Sequence, residues 1–207
     1  TAQVHHRQSA VVNRQFVWYT GHTRGLLRVK IIDNVMSQKD FDRVHSRFFD
    51  YWNEPVLWAY SPSQVLLKDG SSDESFFFHV IYAGPEPSND ALVDNMGPMP
   101  SISPLFKMFT PLMGAIGCTT PLRMRLNLLI NRNKHIRGIE HVDEVTKTMD
   151  HNTAIFYLNT CNGKTVVDGT EVESIANRVV IFPANTPHYV VSQTDTDRRI
   201  VLNINYY

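Results

Sequence analysis

Two stretches in the last third of the chain alternate apolar and polar residues with a period of two, and they restrict the fold more than any other feature. Over 123–131, Met124, Leu126, Leu128 and Ile130 fall on one side, and Arg123, Arg125, Asn127, Leu129 and Asn131 on the other. Over 199–206, Ile200, Leu202, Ile204 and Tyr206 alternate with Arg199, Val201, Asn203 and Asn205. Successive side chains of a strand point to opposite faces, so each stretch is a strand with one greasy and one polar side. Between them, Asn162-Gly163 and Asp168-Gly169 are preferred pairs for two-residue hairpin loops, flanked by β-rich sequence at 153–159, 165–167 and 172–175. With 178–182 and 189–192, this makes a succession of about eight short strands. Even spacing of that kind belongs to a sandwich or a jelly roll, including cupin-like barrels with a pocket at the mouth. The polar faces are either the solvated outside of the barrel or the lining of a wet pocket. Helices elsewhere in the chain need an apolar surface to cover, which favours the second arrangement.

Those helices precede the barrel. Ser37 is followed three positions on by Asp40, close to a capping box, and Phe41, Val44, Phe48 and Trp52 form one apolar stripe, predicting a helix over 38–52. Ser103-Pro104 starts a second helix, apolar almost all round, that Pro111 kinks and Gly114 or Gly117 ends. Segments 15–20 and 26–32 read as a hairpin around a turn at 21–25, and 65–68 and 76–82 as strands separated by 69–73. His79, between Phe78 and Val80, reads as a satisfied core histidine, and His5-His6 as solvated. Segment 84–100 carries four prolines and is too long for an ordinary connection, so it is a candidate lid over an active-site mouth.

With 207 residues the chain forms one domain, in which 1–120 supply supporting strands and helices and 121–207 the barrel. Lys+Arg and Asp+Glu balance at 20 each, which argues against a surface built as a whole for nucleic acid or anionic membrane. No apolar run is long enough to span a membrane and 1–14 are too polar for a signal peptide, so the expected setting is cytoplasmic. Cys118 and Cys161 are expected to be reduced thiols.

Chemistry concentrates at His141-Val142-Asp143, answered by His188 another 45 positions on (188 − 143 = 45). In a strand His141 and Asp143 share a face while Val142 turns away, so both can reach one ion. Two histidines and one carboxylate leave the far side of that ion open, which suits non-haem Fe(II) binding O2 and a co-substrate.

These residues resemble the Fe(II)/2-oxoglutarate-dependent dioxygenases, on the prolyl-hydroxylase-like side. The resemblance covers 123–207 and rests on four elements in the family's order. They are His141-x-Asp143, Ala154-Ile155-Phe156-Tyr157-Leu158-Asn159, the run 178–182 leading into His188, and the last stretch from Arg199 to Asn205. It implies a mainly β fold with flanking helices around a double-stranded β-helix (jelly-roll, cupin-like) core. It implies that His141, Asp143 and His188 hold Fe(II), with 2-oxoglutarate as co-substrate and O2 as oxidant. It further implies that the far carboxylate of 2-oxoglutarate goes to a basic residue of the last strand. Arg199 and Arg198 both qualify by position, and Arg199 is preferred because it is in phase with Val201 and Asn203. Tyr157 matches a tyrosine that bonds the same carboxylate; Thr153 and Ile155 share its face, and Asn127 and Asn203 are further pocket residues. A tyrosine common just before the H-x-D of hydroxylases is absent, Gly138-Ile139-Glu140 standing there instead. The implied reaction is hydroxylation of a C–H bond on a peptidyl (prolyl-type) substrate or a small molecule. Two alternatives stay open. One is a cupin-like module that binds a metal or ligand without catalysis. The other is nucleic-acid modification by the same chemistry, suggested by Arg123, Arg125, Arg132, Lys134, His135 and Arg137 in one short span.

Overall fold

The structure is a computed structural model and describes residues 16–20, 28–50, 54–62, 74–84, 102–143 and 150–207. His5-His6, the turn at 21–25, the strand at 65–68 with its loop, Trp52, and 85–100 of the candidate lid lie outside the described residues. The strands are β1 (Phe16–Thr20), β2 (Arg28–Ile32), β3 (Ala59–Ser61), β4 (Phe76–Ala83), β5 (Pro121–Ile130), β6 (Asn152–Tyr157), β7 (Cys161–Val167), β8 (Thr170–Ser174), β9 (Val179–Pro183), β10 (His188–Val191) and β11 (Arg198–Tyr206). Helix α1 spans Gln38–Phe49, and α2 (Thr110–Ile116) is entered through a 3-10 turn, Pro104–Phe109.

An eight-stranded sheet runs in the order β1-β2-β9-β6-β11-β5-β4-β3 and faces a three-stranded sheet, β10-β7-β8. Among the described residues every strand pairing is antiparallel. The two alternating stretches lie side by side, with Val201 opposite Asn127 and Asn203 opposite Arg125. Their apolar faces, Met124, Leu126, Ile200, Leu202 and Ile204, pack with Phe41 and Val44 of α1, Phe109, and Leu112 of α2. The greasy side thus turns outward beneath the helices, and the polar side turns inward between the sheets.

Local chemistry accounts for the element ends. Ser37 caps α1, accepting from Asp40 N at 3.2 Å and donating to Asp40 Oδ2 at 2.6 Å. The helix stops at Phe49, short of the expected residue 52, because Asp50 is extended. Pro111 does not kink a helix interior; it sits in the first turn of α2, where a missing N–H leaves no bond unmade. Gly117 ends α2 at φ 73°. Asp168 and Gly169, at φ 45° and 77°, make the tight β7–β8 hairpin, with Val167 opposite Thr170. Asn162-Gly163 makes no hairpin. The pair lies inside β7, where the register against β8 shifts, and the chain passes from β6 in one sheet to β7 in the other. His79 is satisfied at both nitrogens, by Leu57 O and Ser103 Oγ, each at 2.8 Å. Both cysteines are free.

Candidate metal centre

His141 is brought to His188 by backbone pairing. The segment after β5 runs along β10, with Gly138 N donating to Val190 O at 2.8 Å. His141 and His188 then exchange N–H···O bonds of 3.0 and 2.9 Å, and Asp143 N donates to Ala184 O at 3.3 Å. His141 therefore lies in an isolated bridge rather than a continuous strand, yet the two-residue spacing still brings both side chains to one place. The ligating atoms of His141, Asp143 and His188 all fall within 4.8 Å of one another. His188 Nε2 is 4.0 Å from Asp143 Oδ1.

The surroundings orient each of the three. His141 Nδ1 is 2.9 Å from Ile139 O, and His188 Nδ1 is 3.0 Å from Thr186 O. A carbonyl only accepts, so both Nδ1 atoms carry the proton and both Nε2 lone pairs are available to a metal. Asp143 Oδ2 accepts from Thr153 Oγ1, Asn203 Nδ2 and Asn205 Nδ2, each at 3.1 Å. Oδ1 receives Arg123 Nη2 at 3.3 Å and faces His188. Burial pushes the Asp143 carboxyl up, but His188, Arg123, His141 and the Asn205 bond outweigh it, so the group sits well below the usual carboxylate range. Burial, and then the neighbouring His188, lower His141, which favours the neutral ligand form. Two imidazole Nε2 atoms beside an ionised, singly presented carboxylate are the donor set for a divalent borderline ion with open positions.

A pocket extends from this cluster between the sheets, lined by Arg125, Asn127, Leu129, His141, Ile155, Thr165, His188, Tyr189, Val190, Arg199, Val201 and Asn203. Arg199 is 3% exposed. Its Nε donates to Ser174 Oγ at 2.8 Å and its Nη2 to Thr165 Oγ1 at 3.1 Å, and it lies over the Tyr157 ring at 5.5 Å. Among the described residues no carboxylate pairs with it. Burial lowers Arg199 from its ordinary value and raises Tyr157, so a cation rests on a neutral phenol. Thr165 is near Tyr157 Oη, but no well-formed hydrogen bond joins them.

Of the residues expected around the co-substrate, Asn127, Ile155, Arg199 and Asn203 line the pocket, and Tyr157 lies beneath Arg199. Thr153 departs from expectation. It shares the Tyr157 face but sits at the metal end, where its hydroxyl serves Asp143. Arg198 points outward, over the Phe49 ring at 4.9 Å. Sequence reasoning passed over Arg123 and Asn205 as Asp143 partners, and Thr165 and Ser174 as Arg199 partners. Arg123 and Asn205 stand on the polar faces, so the available signal was their phase. The basic span divides, with Arg123 and Arg125 turned inward and Arg132, Lys134, His135 and Arg137 exposed. Arg123 is buried on Asp143, Arg125 lines the pocket beside Phe76, Arg132 donates to Ser75 Oγ, and Arg137 covers Tyr189.

The sequence matches no protein-family model and no curated protein. Among solved structures it is similar to an oxidoreductase of the 2OG-Fe(II) oxygenase family from Burkholderia pseudomallei, at 12% identity over 86% of this chain and 84% of that one, TM-score 0.59. It is similar to a prolyl hydroxylase from Trichoplax adhaerens, solved with a hypoxia inducible factor oxygen degradation domain peptide fragment, at 15% identity over 86% and 83%, TM-score 0.53. A third is the non-heme alpha ketoglutarate dependent epimerase SnoN from nogalamycin biosynthesis, at 13% identity over 86% and 77%, TM-score 0.50. The likeness at these identities is one of architecture, and the chain has the double-stranded β-helix fold of the 2-oxoglutarate- and Fe(II)-dependent oxygenases.

Proposed function

We propose that the protein is a non-haem Fe(II)- and 2-oxoglutarate-dependent dioxygenase coupling oxidative decarboxylation of 2-oxoglutarate to hydroxylation of a C–H bond. The observation that carries this reading is one pocket with two unlike regions. One holds the His141, Asp143, His188 cluster, and the other a buried guanidinium whose partners are hydroxyls. Asn203, which holds Asp143, and Arg199 are four residues apart on one face of β11, roughly 13 Å of strand, so the two regions are separated along the pocket as the two ends of a small dicarboxylate require.

His141 and His188 offer Nε2 and Asp143 offers Oδ1, while Thr153, Asn203 and Asn205 keep Oδ2 turned away. Arg199 takes the far carboxylate with its planar fork. Asn127, Ile155, Thr165 and Val201 form the walls that exclude water along the slot. Bound Fe(II), 2-oxoglutarate and O2 supply the C–H oxidation, with succinate and CO2 as co-products. The substrate is proposed to be a peptide or a small molecule, a reading supported by the peptide in the Trichoplax neighbour.

The test is anaerobic titration of metal-free protein with Fe(II) and then 2-oxoglutarate, watching for the visible charge-transfer band of a chelated 2-oxo acid. The band is expected in wild type, absent in His188→Ala, and present in Arg199→Ala only at far higher 2-oxoglutarate. Iron binding without a band in wild type would make the protein a cupin-like metal-binding module instead.

A further inference from the structure

The Asn162-Gly163 pair, which forms no hairpin, lies against the stem of Arg199. Strand β7 pairs with β8 at Cys161↔Ser174 and next at Lys164↔Glu173, so 162 and 163 are extra residues on the β7 side. This bulge is pinned by the segment entering β11. Asn162 N donates to both carboxylate oxygens of Asp195 at 3.0 Å. Asn162 Nδ2 donates to Thr194 Oγ1 and Thr194 N donates to Asn162 Oδ1, each at 2.8 Å. A Cβ on residue 163 would lie 3.0 Å from Arg199 Cδ, 3.0 Å from Val191 O and 3.1 Å from Gln193 N, where ordinary contact is 3.4–4 Å. The last two are main-chain atoms. Val191 is held in the β10–β7 ladder opposite Lys164, and the Gln193 side chain is tied to Leu129 O at 3.1 Å. Arg199 is the one side chain among the three, and its head is held by two hydroxyls, Ser174 Oγ and Thr165 Oγ1, rather than by the main chain. It lines the pocket and Gly163 does not, so it gives toward the pocket.

We infer that Gly163 sets how far back Arg199 lies, and so the length of the dicarboxylate that the pocket accepts. The bare Cα lets the arginine stem rest on the bulge, which leaves a slot for a five-carbon 2-oxo diacid in preference to a four-carbon one. Gly163 is a positioning residue, acting through Arg199, and the inference rests on the co-substrate reading proposed above.

The experiment is calorimetric binding of oxaloacetate, 2-oxoglutarate and 2-oxoadipate to Mn(II)-loaded wild type, Gly163→Ala and Asp195→Ala, with Mn(II) affinity and thermal melting as controls. In Gly163→Ala, Mn(II) affinity stays at the wild-type value while the preference for 2-oxoglutarate over oxaloacetate falls by about tenfold or more, the worth of a methylene in a fitted site. A merely structural role weakens all three acids alike. Should Gly163→Ala not fold, Asp195→Ala, at an exposed position, carries the test: unpinning the bulge narrows discrimination against both the shorter and the longer acid. Wild-type preference for 2-oxoglutarate with ratios unchanged in the folded variants overturns this inference and leaves the co-substrate reading standing. Wild type that takes none of the three acids overturns both.

Discussion

At the scale of single residues, Asp143 is the most constrained side chain of the site. Four donors reach it, three of them on the oxygen turned from His188. Asn205 serves twice, donating also to Thr153 Oγ1 at 3.0 Å. Asn205→Ala is therefore expected to weaken Mn(II) or Fe(II) binding by about 10–100-fold, read by competition against a chelator of known affinity, and to lower the melting temperature, because the buried Arg123 Nε loses its acceptor at 3.1 Å. Arg198→Ala should leave 2-oxoglutarate binding at the wild-type value, because its guanidinium lies outside the barrel on Phe49. That Arg199 and Arg198 turn to opposite sides of β11 was legible in sequence, since a period of two gives adjacent residues opposite faces. His141 and Asp143 were legible for the same reason. The misassignment of Thr153 shows where that logic ends. Phase tells which face a residue takes, but position along the face depends on the register between β6, β11 and β5, and no local pattern encodes it.

At the scale of elements, helix and hairpin ends followed their caps and turn residues at Ser37, Gly117 and Asp168-Gly169. Asn162-Gly163 carries the same local signal and became a bulge, because Asp195, far along the chain, captures the Asn162 N–H. The end of α2 has its own pH dependence. Burial pushes the Cys118 thiol from 9.0 up to about 11, and burial followed by the nearby Cys118 pushes Tyr206 from 10.0 up to about 12. Groups with raised pKa values hold more protons folded than unfolded, so their stabilisation is complete below the unfolded values and is lost as pH rises through the folded ones. Melting temperature is thus expected to decline from about pH 9 to about pH 12, and Cys118→Ala should remove the lower part of that decline in a pH series of thermal melts.

At the scale of the whole molecule, the helices press on the outer face of the eight-stranded sheet, and the site occupies the inner one. Leu126 and Leu202 belong to the outer core and are fully buried opposite one another. Leu126→Ala should cost about 2–5 kcal/mol in a denaturant titration, while the metal affinity of the protein that remains folded is unchanged. Sequence made this two-sided sheet legible because the alternation runs the length of β5 and β11, with Leu129 and Val201 the apolar residues on the polar faces. The strand order was not legible, since it joins segments far apart in the chain. That order gives β11 a particular place, with β6 on one flank and β5 on the other. A chain cut before Arg198 keeps the partners of the seam but not the seam itself, and it holds two long unpaired edges, β6 and β5, each with open N–H and C=O groups. Such a truncated chain is a template for sticking to other copies of itself, so nascent or clipped forms should behave as aggregation seeds rather than as weakened versions of the whole protein.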